Sequence, residues 1–367
     1  DLELEKHGLR YVKPEVQMGS VFDDGTALTI HRDLDKTCAS IARISQKDAD
    51  TFRRLFEETK GYMDLILTTL MFTPPLSMND ITKALVAWGV EDKAEFLSVH
   101  LRRLAINDFL DQHFESDKVK AHIAFHASLG GYSTDRKGLA VTLPLLVGKI
   151  DNWHVCVGGS HALAHALWEG FAQAGGRVFL QHGVDRILVE KGKAVGLKLD
   201  DGSTIRARQL VASSINLEQT FLKMLDPEVL PDGFAEAAEA SPHMDWSYFS
   251  VHLAMTKPPE YKAAEFDPDI DQAWVVNVGY DSPGSINEHW KAIRSGKLPS
   301  ACPNAAVNSL FDPTDAPEGQ YTGLLRHYAP YSLNPGGPEA WDQMAKEFGV
   351  SCIEKWQEAA PNLKNGA

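Results

Sequence analysis

Apolar positions recur along this chain with two different spacings, and the places where the spacing changes divide it into regions. Residues Phe22-Asp23-Asp24-Gly25-Thr26-Ala27-Leu28-Thr29-Ile30 form two short extended runs about an Asp-Gly turn, which predicts a β-hairpin. Further on, Phe52, Leu55, Phe56, Thr59, Met63, Ile66 and Leu67 hold one face of a 3.6-residue repeat, so a helix is expected. Ser45, with Asp48 three residues later, resembles a capping arrangement with Asp in place of the usual Glu. Pro74-Pro75 stops the helix. More helices are expected at Asp92–Ala105, Ile106–Phe114 and Asp117–Leu129, the last closed by Gly130-Gly131. The block 45–129 thus reads as a helical insertion.

The middle of the chain changes character. Trp153–Val157 is a short strand-like run, and Gly158-Gly159-Ser160 turns the chain. A helix is expected over His161–Ala174, ended by Gly175-Gly176 at its C-cap. Strands follow at Arg177–Gln181, Val184–Glu190, Ala194–Leu199 and Ser203–Ala207, with a buried one at Gln209–Ser213. Lys191-Gly192-Lys193 and Asp200-Asp201-Gly202 are hairpin turns between them. The last third predicts strands at Trp246–Met255, Ala273–Val278, Ala305–Leu310 and Tyr321–His327, and helices at Ser285–Ser295 and Pro338–Ala359. The expected fold class is α/β (α+β mixed).

Composition narrows the function classes. Hydrophobic residues make up 44% and charged residues 23%, which places the chain among packed globular proteins and against disorder. The net charge of −14 leaves no overall basic footprint, so a nucleic-acid partner is not expected. No run of 18 apolar residues occurs, so no transmembrane helix is expected. Cys38, Cys156, Cys302 and Cys352 show no C-x-x-C spacing. They read as reduced thiols of a cytoplasmic protein, neither a zinc site nor a disulfide framework. The apolar segments Leu65–Leu76 and Gly138–Val147 read as core; the other readings are a greasy substrate tunnel or a membrane-peripheral contact.

Candidate chemistry gathers at Gly158-Gly159-Ser160-His161-Ala162, between a strand and a helix. Such a turn aims helix N-terminal N–H groups at whatever lies above it. One reading is a cofactor-facing turn. Another is a nucleophile elbow, since G-x-S-x-A is one residue from G-x-S-x-G. Ser160 would then need a base, for which His243, His252, His289 and His327 are available, but three hairpin-linked strands are the wrong context for an elbow. The plain alternative is a glycine turn that starts a core helix. His161, His165 and Glu169 share one helical face, and His122 and His126 form an i, i+4 pair. No H-E-x-x-H occurs and no further ligand follows from the spacing, so no metal is expected. No G-x-G-x-x-G and no G-x-x-x-x-G-K-[ST] occurs anywhere.

The run Gly158 to Leu167, then Ala174-Gly175-Gly176-Arg177-Val178, Val184–Glu190, Gly192–Leu197, Asp201-Gly202 and Leu210–Ser214, resembles the phytoene desaturase-like branch of the FAD-dependent amine-oxidase superfamily. Leu4–Leu9, Ala42–Ala49 and Phe109–Ser116 are similar too. The resemblance implies a partial FAD/NAD(P)-binding Rossmann-like domain plus a substrate domain with a mixed β-sheet and helical cap. It implies an incomplete FAD-binding/substrate junction at 1–44 and 130–220, the cap at 45–129, and a substrate-binding domain at 221–367. By position it places Val184 and Ala212-Ser213-Ser214 beside FAD, and Gly158, Gly159, Ser160 and His161 toward the flavin ring and substrate. His161 stands where the family commonly has a small residue. The activity implied is hydride removal from a hydrophobic, carotenoid-like small molecule. Because the family's glycine fingerprint and C-terminal flavin-contacting segment are absent from these residues, the chain is expected to be the central part of a longer enzyme. By itself it is expected to hold FAD poorly. A non-catalytic binding protein with a degenerate flavin fold is the remaining alternative.

Overall fold

The computed structural model describes residues 2–69, 74, 77, 79–80, 83, 87, 103–147, 150, 153–240 and 245–365. Strands β1 (Tyr11–Val12), β2 (Val16–Val21) and β3 (Ala27–His31) come first. The Asp24-Gly25 turn joins β2 to β3 as an antiparallel hairpin, as its sequence predicts. Helices α1 (Leu34–Ala42), α2 (Gln46–Thr69), α3 (Ile106–His113), α4 (Asp117–Ala127) and α5 (Leu143–Val147) follow. Then come β4 (Val155–Cys156), α6 (Ser160–Gln173), β5 (Val184–Glu190), β6 (Lys193–Leu199), β7 (Thr204–Arg206) and α7 (Phe234–Glu239). The remainder is β8 (Trp246–Met255), β9 (Ala273–Val278), α8 (Pro283–Arg294), β10 (Asn304–Ala306), β11 (Tyr321–Pro330) and α9 (Trp341–Ala359). The protein is a mixed α/β fold. Residues 92–102 of the helix expected at Asp92–Ala105 and half of the apolar segment Leu65–Leu76 lie outside the described residues.

Residues 3–166 and 245–367 form one compact unit, and residues 167–244 form the other. The boundary falls inside α6. The larger unit is built on a six-stranded sheet in the order β3-β2-β9-β10-β11-β8, with β2 parallel to β9 and the other pairs antiparallel. All six residues of β2 are buried, as a central strand covered on both faces requires. One face carries Val276, Leu325 and Phe249 and packs on Phe348, Cys352 and Trp356 of α9. The other carries Met18, Leu28 and Tyr328 and packs on Ile123 and Phe125 of α4 and Trp290 of α8. Leu143 and Val147, from the second apolar segment, are buried in that same core. Gly131 sits at φ +81°, and a Cβ there would run into the Trp246 ring, so this position requires glycine.

Local capping follows the sequence with one change. Ser45 Oγ accepts the Asp48 N–H at 3.1 Å. The buried Asp48 carboxylate does not reach back to Ser45. It accepts the N–H groups of Glu115 (2.8 Å) and Ser116 (2.9 Å) instead, tying the start of α2 to the start of α4. Asp48→Ala leaves two buried donors unmet, and a loss of about 2 kcal/mol is expected. Urea denaturation checks it: a variant within about 0.5 kcal/mol of the parent would show that water replaces the carboxylate.

The smaller unit holds the antiparallel sheet β5-β6-β7, with Val184 opposite Leu199. Its buried apolar residues include Ile187, Leu199 and Ala238, whereas Phe171, Phe179, Leu180 and Leu210 are exposed. Two strands expected here do not form. Residues 177–181 are irregular, with Gln181 at φ +59°. Residues 209–213 pair with no strand among the described residues and are largely exposed. An apolar run supplies strand propensity, but a strand also needs a neighbouring ladder for its N–H and C=O groups.

Candidate functional site

The glycine turn has the geometry its residues allow. Gly158 and Gly159 adopt φ +81° and +79°, left-handed values that side chains disfavour. A Cβ on Gly159 would meet nothing within 4 Å, so the backbone here faces open space. The Gly158 N–H donates to Asp312 Oδ2 at 2.6 Å. Asp312 is 1% exposed, and its other oxygen accepts from the Thr314 N–H and hydroxyl. These hydrogen bonds hold its carboxyl below the usual carboxylate range against the opposing effect of burial. A buried carboxylate thus fixes the turn at its base. Ser160 opens α6, and both Ser160 and His161 are exposed. The first N–H groups of such a helix have no acceptor of their own, which suits them to an electron-rich ligand edge.

The other predicted cofactor residues belong to the smaller unit. Val184 begins β5 and is half-buried. Ala212, Ser213 and Ser214 are exposed, and Ser213 Oγ lies 2.8 Å from Thr220 Oγ1.

Of the four histidines that the sequence offers Ser160 as a base, two have both ring nitrogens engaged elsewhere. His243 lies outside the described residues, and His252 is exposed on the edge strand β8. His289 spends Nδ1 on Tyr280 Oη and Nε2 on the Tyr328 carbonyl. His327 donates from Nδ1 to the Tyr328 carbonyl, so its Nε2 accepts the Cys302 N–H. Both rings are fully used, and burial holds His289 down to about 3 and His327 to about 4.

A second feature of the larger unit was not legible as a site. A cavity of about 210 Å³ opens against the sheet face that carries Met18 and Tyr328. Trp153, Trp274, Phe125, Tyr248 and Tyr328 line it, together with Arg326 and His126. Trp153 and Trp274 lie 6.2 Å apart between ring centroids, and Trp153 leads through β4 directly into the glycine turn. A smaller apolar hollow of about 40 Å³ shares Met18, His126 and Trp153 with it.

Strand register explains the polar groups of this wall. Ser20 faces Asn277, Asn277 faces Asn304, and Asn304 faces Arg326 across four neighbouring strands. Asn304 Nδ2 donates to Asn277 Oδ1 (2.5 Å), and Asn277 Nδ2 lies 3.5 Å from Ser20 Oγ. The Ser20 hydroxyl is in turn hydrogen-bonded to His122 Nδ1 at 2.8 Å. His122 and His126 contact ring to ring at 4.2 Å, so the i, i+4 pair joins a buried polar row. Their signal was present as Asn277 within Val275-Val276-Asn277-Val278 and Arg326 within Leu324-Leu325-Arg326-His327. A polar residue inside a strand otherwise fit for burial needs a partner.

No family model matches the chain. A limonene dehydrogenase polypeptide of Castellaniella defragrans is 28% identical, over 98% of this chain and 66% of its own length. Pyridine nucleotide-disulfide oxidoreductase domain-containing protein 2 of Mus musculus is 26% identical, over 99% of this chain and 68% of its own length. The neurosporene-forming phytoene desaturase of Cereibacter sphaeroides is 22% identical, over 93% and 62%. The crystal structure of an oxidoreductase from Methanosarcina mazei superposes with a TM-score of 0.57 at 14% identity, covering 98% of this chain and 69% of that one. This chain therefore spans about two thirds of the length of its relatives. Their printed names agree with the phytoene desaturase-like oxidoreductases that its sequence resembles.

Proposed function

We propose that this chain supplies the substrate-binding part, and some of the cofactor-binding part, of an FAD-dependent oxidoreductase acting on a hydrophobic small molecule. The observation that carries the reading is the aromatic-lined cavity, one of whose walls is Trp153, five residues ahead of Gly158 in the chain. Relatives named for limonene and phytoene support an apolar substrate, and a carotenoid-like one is within the class. When bound, FAD supplies the acceptor for a hydride taken from a substrate C–H bond. The chain's own residues orient and enclose. The rings of Trp153, Trp274 and Phe125 hold a carbon skeleton and exclude water. The N–H groups at Ser160 and His161 would be offered to the flavin ring edge, with Asp312 keeping the turn in place. In the smaller unit, Val184 and Ala212-Ser213-Ser214 would be the residues that hold the nucleotide, as the resemblance implies.

Purified intact protein is expected to be yellow, with flavin released on denaturation. His161→Ala is expected to keep the flavin and lose roughly tenfold or more of turnover. A His161→Ala enzyme with unchanged flavin and turnover would remove His161 from the reaction face. Colourless intact protein that binds no added FAD would instead favour a binding protein.

No helix among the described residues is long and apolar enough to cross a membrane.

A further inference from the structure

Arg326 and His126 are the two polar groups of the cavity whose hydrogen-bonding capacity the protein leaves unused. Arg326 sits mid-strand in β11 and is half-buried, and its Nε is enclosed without a partner. Neither Asp nor Glu lines the cavity, and no carboxylate pairs with Arg326 among the described residues. The neighbouring polar row does not reach it, since Asn304, opposite in register, spends its amide on Asn277. A guanidinium removed from water without a counter-charge is costly, and its planar donor fork matches a carboxylate. His126 is 6% exposed. It donates from Nδ1 to the His122 carbonyl at 2.8 Å, which leaves Nε2 a buried acceptor with no partner. The rest of the wall is aromatic or apolar, and the adjoining hollow beyond His126 is apolar as well.

We propose that this cavity takes an apolar carboxylic acid, with its carboxylate on Arg326 and its carbon skeleton among Trp153, Trp274 and Phe125. The inference rests on reading the cavity as the substrate site, and narrows that substrate from a plain hydrocarbon to an amphipathic acid. His126 Nε2 then meets a hydroxyl or N–H hydrogen carried on the skeleton. The cation gives preference for the ionised acid over its neutral isostere, because only the ionised form offsets the buried charge. The aromatic walls supply affinity that does not depend on charge.

Isothermal titration calorimetry of the intact protein with cyclohexanecarboxylate and with cyclohexanecarboxamide tests this. The acid is expected to bind at least about tenfold more tightly than the amide. Arg326→Met is expected to bind the two alike, and Arg326→Lys to keep part of the preference. Equal binding of acid and amide by the parent protein, or a preference unchanged in Arg326→Met, would overturn the proposal. So would binding of neither ligand. The parent comparison needs no variant, so an Arg326→Met protein that fails to fold does not spoil the test. Flavin content is read separately. Acid preference in a protein that binds no flavin would sink the oxidoreductase reading alone, and a flavoprotein without acid preference would sink this inference alone.

Discussion

Asp267→Ala is expected to cost the protein about 3 kcal/mol, the upper end of what leaving buried hydrogen-bonding groups unmet costs. Asp267 is 1% exposed. One carboxylate oxygen accepts the hydroxyls of Ser40 (2.6 Å) and Thr29 (3.0 Å), and the other pairs with Arg43 Nη1 at 2.7 Å. The same residue caps the short helix at Pro268–Gln272 through the Asp269 N–H. It therefore joins β3, α1 and the loop that enters β9. Truncation takes the carboxylate acceptor from two buried hydroxyls, while the 41% exposed Arg43 keeps water and the Phe266 carbonyl. Asp267→Asn keeps the shape and one acceptor, so about half of that loss is expected. Urea midpoints at pH 7 measure both. An alanine variant within about 1 kcal/mol of the parent would show that the cluster is not what holds these elements together.

Acid will destabilise the larger unit well above the carboxylate range. His122 and His126 form one buried ring pair, and His289 and His327 another at 4.8 Å. Desolvation pushes His122 well below the ordinary 6.5, His126 and His327 to about 4 and His289 to about 3. The neighbouring imidazole adds to the shift at His122 and His289. A histidine depressed in the folded state binds its proton more readily once unfolded. Its stabilisation is whole above pH 6.5 and is lost as pH falls from there toward the folded value. At pH 5 the loss is about 2 kcal/mol per ring, at about 1.4 kcal/mol per pH unit, and each pair titrates as a unit. Several such rings approach the whole stability of an ordinary domain. The groups facing them do not offset this: Ser20 hydrogen-bonds His122, Tyr280 hydrogen-bonds His289, and both are neutral. The urea midpoint is expected to drop steeply between pH 6.5 and pH 5. A midpoint flat over that interval would mean that the four rings titrate in the folded protein as they do in water.

Local elements were readable because they are written in neighbouring residues. The Asp24-Gly25 hairpin, the Ser45 start of α2, the limits of α3 and α4, and the β5-β6-β7 meander each depend on turn or capping residues a few positions apart. Where a strand depended on a distant ladder, as at 177–181 and 209–213, the apolar run alone misled. Asp48 shows the same limit on a smaller scale. Its spacing from Ser45 marked a helix start, but its carboxylate serves residues 115 and 116, far along the chain.

The sequence by itself determined the mixed α/β class, the helices α2, α3 and α4, the glycine turn and, through the matched segments, the resemblance to phytoene desaturase-like oxidoreductases. Each of these rests on spacing or on local backbone demand. Only the tertiary structure decided that Asn304, Asn277 and Ser20 form one row, that His122 and His126 end it, and that Arg326, opposite Asn304 in register, stands at an aromatic cavity with no counter-charge among the described residues. Residues from positions 20 to 326 come together there through strand register, and a register fixed by long-range pairing leaves no pattern among sequence neighbours.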